Sequence, residues 1–186
     1  MGMTRREALW HIRNTQPVDL TGVLQLFDEA VAWLNARGIT DQWGTTPVSG
    51  RPHLVEVVRG YLDYAVVAEF VEAHLRQGEN TELAGFIAVS LTPPEEIASL
   101  LGERTATAAW VESLVARRTS AARGAGAALL GWAEQHALAH GKSYLGLSCA
   151  ASNPRLVEYY EGRGFERAGE VGDSESLSAV FEKGLA

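Results

Sequence analysis

The stretch TSAARGAGAALLGW, residues 119–132, sets two glycines one residue apart behind an arginine and runs straight into apolar residues. Small side chains at Ala121, Ala122, Gly124, Ala125, Gly126 and Ala127 leave the main chain bare where a helix would begin. A helix start carries four N–H groups without internal partners and the positive end of the helix dipole. A phosphate can approach such a start closely if no bulky Cβ intervenes, and Arg123 can add a charge-assisted bond. Two familiar phosphate loops fit poorly. The nucleoside-triphosphate loop ends in Gly-Lys-Ser/Thr, and no lysine stands here; the dinucleotide fingerprint needs a third glycine where Leu129 stands. A plain loop-to-helix junction, or an α/β domain holding some other phosphate ligand, stays open on this stretch alone.

The elements that must position this loop are legible along the chain. LWHIRNT (9–15) alternates as a first strand, and Val23, Phe27, Val31 and Leu34 then recur at helical spacing up to Gly38. A loop, GITDQWGTTPVSG (38–50), precedes a shorter helix near RPHLVEVVRGYL, with Pro52 in its first turn. DYAVVAEFV (63–71) and LAGFIAVS read as strands around a polar turn at RQGENTE, followed by a short helix in TPPEEIASLLG. The strand TAAWVESLVARR (107–118), a helix from Gly126 to about His140 and the strand SYLGLSCAAS form a crossover, which requires a parallel pair or a gap in the sheet. Asn153 and Pro154 open a further helix ending at Gly164; FERAGEV and LSAVFEKGL close the chain as strands. The expected fold class is α/β (α+β), a mixed central sheet of about six to seven strands flanked by helices, in a single domain over 1–186.

Composition narrows the function classes. The 186 residues are 46% apolar, enough for a sizeable core. A net charge of −7 argues against a general nucleic-acid surface and is compatible with a cationic substrate. MGMTRREALW holds no continuous apolar stretch of the signal-peptide kind, and no run approaches a membrane span, so a cytoplasmic protein without membrane partners is expected. Cys149 is the single cysteine, and no third ligand accompanies His136 and His140, so no metal is expected.

Taken together, WVESLVARR, AARGAGAALL, YLGLSCAASN and NPRLVEYYEGRGF resemble the GNAT (Gcn5-related N-acetyltransferase) superfamily over Trp110–Val171. In that family a strand leads into Gln/Arg-x-x-Gly-x-Gly/Ala at a helix start, then a strand, then an Asn-initiated helix with Tyr before Gly-Phe. With Gly124 and Gly126 on the motif glycines, Ala121 falls where the family has Gln or Arg; read from Arg123 the pattern also fits, and spacing to the Leu-Leu pair favours the first register. The resemblance implies acetyl-CoA as cosubstrate, its pyrophosphate on residues 121–127 and its pantetheine arm along Leu114, Val115 and Ala116 and beside Asn153. It implies transfer to a primary amine, with a small molecule favoured, by direct attack in a ternary complex. A GNAT-like module that binds acyl-CoA without turnover is the rival. A homodimer is compatible with the family.

Under this resemblance Tyr160, seven residues after Asn153, is a cofactor-contacting residue and the candidate general acid, because a phenol can protonate a thiolate whose thiol titrates at ~8.5. Asn153 serves equally well as a helix cap. Glu112 is the candidate general base, expected on the strand face of Trp110, Leu114 and Ala116, where an apolar setting would raise its pKa. Glu69 is a weaker acceptor-side candidate. Trp43, with Asp41 and Gln42, is placed in an acceptor cleft or, alternatively, on the surface. Cys149 reads as an apolar filler, since nothing ties a histidine to it.

Overall fold

The computed structural model describes residues 10–70, 82–173 and 176–186. Strands β1 (Trp10–Asn14), β2 (Ala65–Phe70), β3 (Leu83–Ser90), β4 (Ala108–Ala116), β5 (Tyr144–Ala150), β6 (Glu166–Gly172) and β7 (Leu177–Gly184) join one sheet in the order β1-β2-β3-β4-β5-β7-β6. All neighbours are antiparallel except β4 and β5, which run parallel across the connection formed by a long helix. Helices α1 (Leu20–Asn35), α2 (Pro52–Tyr61), α3 (Glu95–Leu101), α4 (Ala125–Ala139) and α5 (Pro154–Glu161) flank the sheet. Of the polar turn expected at RQGENTE, residues 76–81 lie outside the described residues.

The side-chain periods decide which face each helix covers. In α1 the apolar stripe Val23, Phe27, Val31 and Leu34 is buried, most of it against Val67, Phe86, Ala88 and Val115. Helix α4 buries Leu129, Ala133 and Ala137 on the opposite face, with Ile87, Ala109 and Leu145. Helix α3 forms a smaller cluster of its own, where Ile97 and Leu101 meet Trp110 and Val180. Asn153 caps α5, its side chain accepting from the Leu156 N–H at 3.3 Å.

Two irregularities in β4 shape the cleft beside it. First, β4 and β5 share only three registered pairs, from Ala108↔Tyr144 to Trp110↔Gly146, and then part. The Trp110 ring stands so close that a Cβ on Gly146 would lie 2.6 Å from it. Second, the pairing of β3 with β4 jumps from Val89↔Val111 to Ala88↔Ser113, leaving Glu112 as an extra residue, a β-bulge. Alternation breaks there. Trp110 packs with Val180 on the α3 side, whereas Leu114 packs on the α4 side, although they are four residues apart. The expected common face for Glu112, Trp110, Leu114 and Ala116 is therefore incorrect: the bulge sets Glu112 and Ser113 out of alternation with Trp110 and Leu114, and Ser113 lies near Tyr61 of α2.

Candidate active site

The parting of β4 and β5 opens a cleft of about 870 Å³. From Val111 to Ala116 the edge of β4 facing β5 has no strand partner, so its main-chain groups line the opening. Leu147 and Ser148 form the facing wall on β5, and Asn153 and Leu156 continue it into α5. Leu114, Val115 and Ala116 all border the cleft.

At one end stands the start of α4. Gly124 is left-handed, with φ +93°, a conformation that a side chain would strain. The turn before it is held by Ala122 N–H donating to Thr119 Oγ1 and Ala125 N–H donating to the Ala122 carbonyl. The first helical bond runs from Ala128 N–H to the Gly124 carbonyl at 3.0 Å. Among the described residues, the N–H groups of Gly124, Gly126 and Ala127 bond no protein acceptor. A Cβ on Gly126 would project toward the Ala116 Cβ at 3.5 Å and the Tyr159 hydroxyl at 3.8 Å, so its absence keeps the floor of this end open. Ala122, Arg123, Gly124, Gly126 and Ala127 border the cleft; Ala121 is exposed and does not, and Ala125 is buried beneath the helix start. The side chain available to assist an anion is thus that of Arg123 and not the residue at 121.

Further arginines gather at this end. Arg155 and Arg163 border it from α5 and the turn after it, and the Arg163 guanidinium lies 4.5 Å from the Tyr159 ring centroid. Arg118 and Arg37 each lie 3.8 Å from the centroid of Trp33, which also borders the cleft. Burial and the neighbouring Arg37 charge lower the Arg118 pKa, which makes the pair receptive to an anion. Arg117 is already paired with Glu29 and Glu82. In a chain of net charge −7 this concentration of cations is local and specific.

The opposite end is acidic and aromatic. Glu112 borders the cleft, and burial raises its carboxyl above the ordinary range, opposed by the nearby Ser90 hydroxyl and reinforced by the charge of Glu96. The loop between α1 and α2 closes over this region. Gln42 Oε1 accepts from the Ala150 N–H at 2.8 Å, and Ser152 donates to Asp41 at 2.6 Å. Trp43 packs edge-on against Phe27 at 5.2 Å and borders the cleft, as does Gln42. Glu69 is elsewhere. Its side chain is 3% exposed and accepts from Arg13 Nε at 2.6 Å, while Arg13 also bridges Asp19. That buried network joins β1 to β2 and does not reach the cleft.

Tyr160 borders the cleft although its ring is buried among Phe165, Phe181 and Cys149. Burial, with Cys149 and Tyr159 adding to it, raises the phenol above its usual value of ~10, so it keeps its proton throughout the working pH range. Of the two adjacent tyrosines, Tyr160 packs more deeply and Tyr159 flanks the mouth. Cys149 is 2% exposed and its thiol is pushed up to about 11, the behaviour of an inert filler. His136 stacks on Trp132 and neighbours His140 along α4, away from the cleft lining. Among the described residues, no His, Cys, Asp and Glu group of three or more is gathered for a metal, and no helix is long and apolar enough to cross a membrane.

Tyr61 and Tyr64, beside Glu112, belong to no local motif, and only the tertiary fold brings them to the site. Arg155 and Arg163 are visible within NPRLVEYYEGRGF as two cations flanking Tyr160.

The Acetyltransferase (GNAT) family model matches residues 68–165. No curated protein matches the chain in sequence. Solved structures share its fold. An acetyltransferase of the GNAT family from Listeria monocytogenes superposes with a TM-score of 0.69 at 18% identity, over 98% of this chain and 99% of its own. A GCN5-related N-acetyltransferase from Kribbella flavida gives 0.66 at 16% identity, over 95% and 98%. The structure of yncA from Salmonella typhimurium with its cofactor acetyl-CoA gives 0.60 at 17% identity, over 95% and 94%.

Proposed function

The chain belongs to the acetyltransferase (GNAT) family, and from that premise we propose that it moves an acetyl group from acetyl-CoA to the primary amine of a small molecule, the whole chain acting as one catalytic domain. The observation that carries this reading is the opening between β4 and β5, with free helix-start N–H groups at one end and a half-buried carboxyl at the other.

The residues present suit the cosubstrate. The N–H groups of Gly124, Gly126 and Ala127, with Arg123, would hold a diphosphate against the positive end of α4. The unpaired edge of β4 from Leu114 to Ala116 would take the pantetheine amides, with Asn153 across the cleft. Acetyl-CoA supplies, when bound, an acyl group activated as a thioester. A main-chain N–H of the same edge would aim at the thioester oxygen.

The acceptor arrives as an ammonium ion and must lose a proton before it attacks. Glu112, raised by burial yet on the cleft, is the base for that proton, directly or through one water. Tyr160, held protonated, is the donor for the departing sulfur. Positioning contributes as well, since both reactants are confined in one cleft. Trp43 and Gln42 form the acceptor-side wall under this reading; Glu69 takes no part.

The test is release of free thiol from acetyl-CoA in the presence of a pooled panel of primary amines, with mass spectrometry locating the acetyl group on nitrogen. Thermal shifts with CoA, ATP and NAD run beside it. Stabilisation by CoA together with amine-dependent thiol release is expected. Tight CoA binding with no release on any amine would identify a binding module instead.

A further inference from the structure

The arginines of this chain divide by their partners. Among the described residues, Arg13, Arg59, Arg104, Arg117 and Arg167 each hold a carboxylate within salt-bridge distance. Arg118 holds none, although it follows Arg117 directly. Arg117 takes both Glu29 of α1 and Glu82, and its neighbour is left to the cleft. Arg118 is half-buried there, with its guanidinium carbon 3.8 Å from the centroid of Trp33. Arg37, just past the end of α1, lies at the same distance from that ring; it donates to the Trp33 carbonyl at 3.0 Å and to no carboxylate.

Two like charges therefore share one indole. Partial burial and the Arg37 charge both weigh against the charged form of Arg118. An oxyanion bridging the two would relieve both. A guanidinium held over an aromatic ring keeps an N–H edge for such a group, and its fork fits carboxylate and phosphate oxygens two at a time. Thr119 and Ser120 add hydroxyls to the same wall, and Thr119 Oγ1, which accepts from the Ala122 N–H, keeps its own proton to donate. A second hollow of about 140 Å³ shares Trp33, Arg118 and Thr119 with the cleft; Glu29, which also lines it, is already paired with Arg117.

This place lies apart from Glu112. Pairing along β4 runs on to Arg117, whose N–H donates to the Ala84 carbonyl, so Arg118 stands about 20 Å from Glu112 along the chain, at about 3.3 Å per residue. A group seated on Arg118 belongs to the remote end of a long molecule and not to its reacting centre. We propose that Arg118 and Arg37, held on Trp33, form a second anion site of the cleft, which takes a phosphate or carboxylate at the remote end of a bound substrate. The proposal rests on the reading of the cleft as the seat of acetyl-CoA and an amine. Two molecules can bring that chemistry: CoA, through the phosphate monoester on its ribose, and a long acceptor, through a terminal carboxylate. Arg118 and Arg37 are specificity-determining residues; they touch the part of the substrate that does not react.

Calorimetry compares CoA with dephospho-CoA, which lacks only the ribose phosphate. On the CoA-loaded protein it then compares 8-aminooctanoate with 8-aminooctan-1-ol. Each series is run on the unmodified chain, on Arg118→Gln, on Arg37→Gln, and on Arg123→Gln as the control at the helix start. A charge-assisted bond predicts a preference of about tenfold or more for the anionic member of a pair. A preference within the CoA pair names the donor as the source of the anion, and one within the amine pair names the acceptor. In either case it should disappear in Arg118→Gln, fall in Arg37→Gln and shrink as salt is raised. Arg123→Gln should weaken CoA and dephospho-CoA alike. Melting temperatures of the variants, measured alongside, separate lost binding from lost fold. No preference in either pair, or a preference that survives Arg118→Gln, would overturn the site and leave the acetyl-CoA reading intact. Failure of CoA to bind at all would remove that reading and the site with it.

Discussion

The ring of Trp110 occupies the space that a side chain on Gly146 would need, at the last pair that β4 and β5 share. Beyond that contact the strands part and the cleft begins. Gly146→Ala would force the indole to shift in a packed site where Trp110 is 3% exposed. A loss of about 1–3 kcal/mol is expected, the usual cost of overpacking. Urea denaturation measures it through the midpoint at constant slope. An unchanged midpoint would mean that the indole moves without cost.

Gly126→Ala separates stability from binding. The added methyl meets only ordinary contacts, at 3.5 Å or more, and a first-turn alanine favours the helix. The melting temperature should hold or rise. The methyl nevertheless projects toward the cleft, so CoA should bind several-fold more weakly by calorimetry. Unaltered CoA affinity would place the diphosphate elsewhere.

Glu112→Gln addresses the base. A base must be ionised to act, so kcat/KM of the unmodified enzyme should fall as pH drops through the raised Glu112 pKa and hold above it. The variant should lose roughly a hundredfold in kcat and lose that acidic limb. Its stability should not suffer. A carboxyl with its pKa raised by folding contributes stability below its unfolded pKa, and that contribution is lost as pH rises through the folded value. Near neutral pH the amide removes a half-buried charge, so the melting temperature should hold or increase. A retained acidic limb in Glu112→Gln would assign the base to another group.

Tyr160→Phe keeps the buried ring and removes only the hydroxyl. Turnover should fall at least about tenfold with CoA affinity unchanged, and Tyr159→Phe should leave kcat near that of the unmodified enzyme. Equal losses from both substitutions would point to packing at α5 and not to proton donation by Tyr160.

Arg13→Ala tests the structural assignment of Glu69. The guanidinium bridges two carboxylates, each 3% exposed. Its removal leaves Asp19 with the Gln16 N–H and Glu69 with His11 Nε2 at 3.6 Å as partners, at a cost of about 3 kcal/mol for breaking a buried pair. Chemical denaturation should report that loss, while CoA affinity at a temperature where the variant is folded should be unchanged.

Much of this architecture is legible in the sequence because the signals are local. The Asn-Pro start of α5, the glycines entering α4 and the uninterrupted LAGFIAVS strand each depend on residues within one or two turns. The bulge at Glu112 is not legible. Nothing in WVESLVA by itself marks an extra residue, and only the pairing with β3 makes residue 112 supernumerary. Glu69 is misplaced by sequence reasoning for a related cause: its partner Arg13 lies 56 residues away, on a strand that pairs with β2 only after folding. Tyr61 and Tyr64 come to Glu112 by the same long-range route, so no spacing could announce them.

The parting of β4 from β5 after three pairs also divides the labour of inheritance. Residues 111–163 supply Glu112 and the bare main chain and arginines that would grip a donor common to many reactions, whereas Gln42 and Trp43 supply a wall that would face the acceptor. A substitution at Gln42 or Trp43 alters no N–H at the start of α4. Under the proposed function, a lineage could exchange one acceptor for another through changes in the loop at 38–50 and leave the helix start at 124–127 intact.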